Sequence, residues 1–212
     1  MNKKFISNSN YIFRKVLNSE ACLDILKDFI ESILNIEIKE IILNPYLNEI
    51  SRYLPKEENF GIADVRIKTN ENEEINVGIQ FVDGIYYIQT KILLYYSQIH
   101  LNQMEYKPQR EFARTATINI IDCNCFTSPQ YSKVIRVQSN ESNIKLDELE
   151  MHVIELPKFK IENIENMSRK EQWVTYIKGE NQELIEEIKK QNKNIEKLDN
   201  LVEKYWHEEK ME

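Results

Sequence analysis

Asp64 stands inside a β-rich run, Gly61-Ile-Ala-Asp64-Val-Arg-Ile-Lys-Thr69. Fourteen residues later comes Gly78-Ile79-Gln80, inside a second such run at 74–82. A carboxylate in the middle of a strand is unusual and calls for a partner. Strand side chains alternate, so positions 78 and 80 share a face, and a hairpin can bring Asp64 onto the same side. An acid on one strand, an acid on its neighbour and a polar group two residues further on would converge on one divalent cation. Such an ion polarises a phosphate, supplies a hydroxide and neutralises developing charge. The spacing here suits that chemistry. Residue 78 does not, because glycine has no side chain to bind metal.

The surrounding pattern must supply the frame. Asn70-Glu-Asn-Glu73 separates the two runs and Asp83-Gly84 ends the second, which is a hairpin signal. Upstream, residues 9–17 and 19–35 read as helices. Leu23, Ile25, Leu26, Phe29, Ile30, Ile33 and Leu34 recur at helical spacing, with Asn18 or Ser19 as N-cap. Residues 36–54 are mixed, with a short apolar run at 41–43 before Pro45. Downstream, residues 85–104 predict a helix with Ile88, Ile92, Tyr95, Tyr96 and Ile99 on one face. Residues 114–122, 133–138 and 151–156 predict three more strands. The order αα-ββ-α-β-β-β describes a mixed α/β domain with helices flanking one sheet.

After Pro157 the composition shifts. Residues 169–178 predict a short helix around Trp173 and Tyr176, and 181–206 a longer one. Leu184, Ile188, Ile195, Leu198, Val202 and Tyr205 fit a heptad seam interrupted at Gln191. A coiled coil and a helix packed on its own domain both remain open. The expected division is a domain at 1–160 and a helical extension at 161–212.

At 42% hydrophobic the chain can build a core, and only 4 Gly and 5 Pro argue against disorder. The formal net charge of -7 is wrong for a protein that coats nucleic acid. It still permits contact with DNA at a local cleft, where the field differs from the sum. Cys22, Cys123 and Cys125 form no disulfide framework, which suits a reducing compartment. Cys123-Asn-Cys125 lacks the further ligands that a structural zinc site needs, so small half-buried thiols are expected. The basic Met1-Asn-Lys-Lys4 is soon followed by polar residues, so no signal peptide is expected. No apolar run is long enough to span a membrane. A cytoplasmic location is the resulting expectation.

The run from Gly61 to Gln80 resembles the heart of the PD-(D/E)XK nuclease superfamily, in its recombination-promoting, transposase-like branch. That group carries leu-asp-val, a hydrophilic turn, then ile-asn-ile-glu-ile-gln. Tyr95-Tyr96-Ser97, Thr117-Ile-Asn-Ile-Ile-Asp122 and the opening Phe5-Ile-Ser-Asn-Ser-Asn10-Tyr-Ile-Phe-Arg-Lys15 are similar to it too. The resemblance covers roughly residues 5–160. It implies a restriction-endonuclease-like mixed sheet flanked by helices, and a Mg²⁺- or Mn²⁺-dependent DNA endonuclease.

The resemblance also implies roles residue by residue. Asp64 matches the metal-binding Asp. Gln80 stands in the place of the usual catalytic Lys and would orient water or phosphate. Gly78 occupies the position of the second metal-binding Glu, and Asn10 that of an Asp. Lys91 falls where a basic residue would contact phosphate. The backbone carbonyl of Ile79 could still bind metal, but one Asp, a carbonyl and waters would hold Mg²⁺ weakly. No Asp or Glu lies between Gly84 and Met104 to substitute for the missing acid. Structural readings stand beside these. Asp64 could be an edge-strand Asp, Gln80 a polar face residue, Asn10 a helix N-cap and Lys91 a solvated lysine. Tyr86, Tyr87, Tyr95 and Tyr96 suit core and rim packing better than base stacking. Two functions therefore compete: an endonuclease impaired at Gly78, and a degenerate paralogue that binds DNA or dimerises. DNA is the implied partner of both, and a homodimer through the C-terminal helix is a further candidate.

Overall fold

A computed structural model describes residues 16–43, 63–82, 88–105, 108, 111–138, 145–161 and 165–209. Asn10 and its opening motif, Gly61, Asp83-Gly84, Tyr86 and Tyr87 lie outside the described residues. Two compact units divide the chain: 37–158, and 1–36 together with 159–212.

The first unit is built on a six-stranded sheet. Its strands are β1 (Ile38–Leu43), β2 (Ala63–Thr69), β3 (Glu74–Val82), β4 (Arg114–Ile121), β5 (Ser132–Gln138) and β6 (Lys145–Glu155). Their spatial order is β1-β2-β3-β4-β6-β5. β3 and β6 flank β4 in parallel, and the other pairs are antiparallel. The predicted hairpin is the β2–β3 pair. Asn72, at φ 64, takes the left-handed turn conformation that an Asn tolerates. β6 starts six residues before the predicted Met151, because its first half pairs with β5 across a bulge.

Parallel strands need a crossover. Between β3 and β4 that crossover contains the helix Ile88–Leu101, followed by a 3₁₀ turn at Asn102–Glu105. It packs on β3 and β4. Ile92 and Tyr96 meet Val82, Ile121, Met151 and Val153 in one apolar cluster. The opposite sheet face presents Val65, Ile67, Ile75, Val77, Ile79, Ile118 and Ile120, all buried. Both faces of the central strands are buried, so they read as near-continuous apolar runs. Asp64 lies on β2, which is bordered on both sides, and is not at the sheet edge.

The second unit is helical. Numbered in chain order, with α2 the crossover helix, it holds α1 (Leu23–Leu34), α3 (Arg169–Lys178), α4 (Gln182–Gln191) and α5 (Lys193–Glu209). A 3₁₀ turn at Glu20–Cys22 precedes α1, and Ser19 gives its hydroxyl to the carbonyl of Val16 instead of capping. Trp173 sets its ring edge-on to Phe29 at 5.4 Å and donates its indole N–H to Asp28 at 2.8 Å. Ser168 and Glu171 form a capping box at the start of α3.

The single long helix expected at 181–206 is two helices. Asn192 ends α4 in an extended conformation, and its side-chain oxygen accepts the backbone N–H groups of Asn194 and Ile195 at the start of α5. The break comes where Gln191 interrupts the apolar seam. Leu184, Ile188, Ile195 and Leu198 are buried within this unit, so the seam is used in packing α4 and α5. No described helix is long and apolar enough to cross a membrane.

One buried acid organises the loop after β4. Glu155 accepts the backbone N–H groups of Cys125 and Phe126 at 2.7 and 3.0 Å and pairs with Lys133 and Lys158. Burial pushes this carboxyl up. The hydrogen bonds from the two lysines and from the Phe126 and Cys125 backbones outweigh it and hold the pKa at about 2. The carboxylate therefore contributes full stability above pH 4.5, the ordinary value, and loses it as pH falls toward about 2. Glu155→Gln leaves two lysines facing a neutral amide. It is expected to cost about 3 kcal/mol at neutral pH and to flatten this acid limb. Urea denaturation across that pH range measures both effects.

Candidate functional site

The strand register places the sequence-predicted residues together. Asp64 lies directly opposite Gly78, which lies opposite Thr117 on β4; Gln80 lies opposite Asn119. By alternation, Asp64, Gly78, Gln80, Thr117 and Asn119 all point to the sheet face that α2 covers. The shared face inferred from spacing is present. It is closed to solvent: Asp64, Gln80, Thr117 and Asn119 each expose 0% of their surface.

Buried polar groups need partners. Asn102, in the turn after α2, directs its amide N–H toward the carboxylate of Asp64 at 3.5 Å, the long limit of a hydrogen bond. Gln80 donates to the side-chain oxygen of Asn119. Asn119 in turn donates to Thr117 Oγ1 and to the carbonyl of His152, both at 3.0 Å. Sequence reading assigned no role to Asn102 or Asn119. Thr115, Thr117 and Asn119 alternate along β4, a legible polar stripe in an otherwise apolar strand. Asn102 gave no such signal.

Tyr95 decides what the site can hold. It is 1% exposed, and its hydroxyl lies 3.0 Å from the carbonyl of Ile79 and 3.3 Å from that of Ala63. Those two residues face each other across β2 and β3. One O–H donor is thus shared between two strands, at the carbonyl that could have served as a metal ligand. The space above position 78 is also taken. A Cβ there would lie 2.8 Å from the Tyr95 hydroxyl oxygen, 3.0 Å from its ring and 2.8 Å from Ile99 Cγ1. Carbon atoms pack at about 3.5–4.0 Å, so no side chain fits unless Tyr95 and Ile99 shift.

A divalent ion would need several convergent oxygens at about 2.0–2.1 Å for Mg²⁺. Among the described residues of this site Asp64 offers a carboxylate, Gly78 offers none, and the Ile79 carbonyl is engaged by Tyr95. Among the described residues, no group of three or more His, Cys, Asp or Glu could hold a metal ion. Among the described residues, those at this site do not make up the ligand set of a catalytic divalent cation. Lys91 is half-buried on the first turn of α2. Cys123 and Cys125 are partly buried against the apolar cluster under α2, and burial together with neighbouring negative groups raises both thiol pKa values.

A family model described as PD-(D/E)XK nuclease family transposase matches residues 8–212. No curated protein and no solved structure matches the chain.

The close approach at position 78 makes a direct prediction. Gly78→Ala is expected to destabilise the chain by about 1–3 kcal/mol, the range for overpacking a core. Tyr95→Phe removes one of the two 2.8 Å obstacles and should lower that penalty in the double variant. A thermodynamic cycle from denaturant melts reads this coupling.

Proposed function

The chain belongs to the PD-(D/E)XK nuclease family transposases, and on that premise we propose that it keeps the nuclease fold for association with DNA but does not cleave by the metal-dependent route. One observation carries this reading: Tyr95 and Ile99 occupy the space that a carboxylate at position 78 would need. Loss of the acid alone would leave a gap that a water-coordinated ion could enter. Here the gap is filled by side chains, and the neighbouring carbonyl is satisfied by a hydroxyl.

The remaining residues act structurally. Asp64 and Asn102 tie β2 to the turn after α2. Gln80, Asn119 and Thr117 link β3 and β4 through amide and hydroxyl groups. The Gln80–Asn119–Thr117 chain and the Asp64–Asn102 contact are two separate sets of hydrogen bonds that hold these side chains in place. Family membership points to DNA as the partner class, while the net charge of -7 requires that contact to be local.

The competing reading is an active Mg²⁺- or Mn²⁺-dependent endonuclease, favoured by the retained register of Asp64 and Gln80. Supercoiled plasmid separates the two. The proposal expects no Mg²⁺- or Mn²⁺-stimulated nicking, salt-sensitive binding of duplex DNA, and no gain of cleavage in Gly78→Glu. That variant would force a charge into space held by Tyr95 and Ile99 and should be less stable. Metal-stimulated nicking by the unaltered chain, abolished by Asp64→Ala, would establish the endonuclease instead.

A further inference from the structure

The loop after β4 places two thiols beside the acid that anchors it. Exposure alternates along this loop: Asp122 and Asn124 are exposed, while Cys123 and Cys125 are half-buried. Both cysteines pack on the cluster that Ile92 and Tyr96 of α2 form with Val82, Ile121, Met151 and Val153. The third cysteine, Cys22, is 1% exposed. Beyond Asn124 the backbone is tied down. Glu155 accepts the N–H groups of Cys125 and Phe126, and Lys158 joins the same carboxylate to the carbonyls of Phe126 and Ser128.

The two thiols sit in different fields. Burial, then Glu155 and Asp122, pushes the Cys123 thiol up. Burial, Cys123 and Glu155 push Cys125 up as well, but Lys158 and Lys133 act against them. The lysines favour a thiolate at Cys125, and the thiolate is the nucleophile. The influence of Cys123 on Cys125 also shows that the two thiols are neighbours.

We propose that Cys123 and Cys125 form a redox-sensitive latch, in which hydrogen peroxide joins them as a disulfide and releases the loop from Glu155. The Cys125 thiolate attacks one peroxide oxygen and the O–O bond breaks. This leaves a sulfenic acid and, with the proton of the thiol, one water. The Cys123 sulfur then attacks the Cys125 sulfur. The S–S bond forms, the S–O bond breaks, and the departing hydroxide takes the Cys123 proton as a second water. The thiol pair loses two electrons and the peroxide gains them. A small-molecule thiol reverses the bond by exchange.

A disulfide needs Cα atoms about 4.4–6.8 Å apart, whereas residues two apart in an extended chain stand about 7 Å apart. Closing this ring therefore bends the chain at Asn124 and turns the peptide whose N–H Glu155 holds. The carboxylate keeps Lys133 and Lys158, so the sheet persists while the loop loosens over Ile92 and Tyr96.

Peroxide treatment of the folded full chain, then alkylation in denaturant and peptide mass spectrometry, tests this. Cys123 and Cys125 should resist alkylation until reduced, in one peptide two hydrogens lighter, while Cys22 alkylates throughout. Below the thiol pKa the bond should form about tenfold faster per pH unit, because the thiolate fraction sets the rate. Amide hydrogen exchange at Cys125 and Phe126 should be about tenfold faster in the oxidised chain. Cys123→Ser should form no disulfide and leave a sulfenic acid at Cys125 that dimedone traps. Thiols at 123 and 125 that stay open to alkylation after peroxide overturn the proposal. So does a disulfide that leaves exchange at Cys125 and Phe126 unchanged, or a Cys123→Ser chain without the trapped sulfenic acid.

Discussion

The Tyr95 hydroxyl reaches the carbonyls of Ala63 and Ile79 because position 78 has no Cβ. This close approach sets how deeply α2 sits on the sheet. Around it, Ile99 fills the rest of the space above Gly78, and Ile92 and Tyr96 complete the apolar cluster with β3, β4 and β6. The glycine is needed here for space. Its backbone does not take the left-handed conformation that would make the requirement conformational. A residue that looks like a missing ligand in the sequence is, in the fold, one half of a matched packing pair.

That pairing changes the meaning of the polar groups nearby. Asp64, Gln80 and Asn119 share one sheet face in register. They are sealed under α2 and spend their hydrogen bonds on neighbouring side chains and backbone. Electrostatics elsewhere in the same unit shows what an engaged carboxylate looks like: Glu155 gathers two lysines and two backbone N–H groups. Asp64 stands 3.5 Å from the Asn102 amide.

Much of this was legible beforehand. The β2–β3 hairpin, its turn, strand β4 and the shared face of positions 64, 78 and 80 follow from two-residue alternation bounded by polar turns. Tyr95 and Ile99 were legible as core residues from helical spacing. What spacing could not convey was where the Tyr95 hydroxyl ends, since that depends on how closely one helix approaches one strand. The same limit hid Asn102, which reaches Asp64 only through tertiary packing. At the C-terminus, the heptad pattern masked a break at Asn192, where an Asn cap competed successfully with helix continuation. Ser19 shows the converse, a residue of capping type whose hydroxyl bonds backwards to Val16.

The central claim is that packing has replaced the cation at this site. Isothermal titration of Mn²⁺ into the unaltered chain tests it most directly. The account predicts no saturable heat, and a trace indistinguishable from that of Asp64→Ala. A single saturable site that disappears in Asp64→Ala would contradict it, and would mean that Tyr95 and α2 move aside to admit the ion.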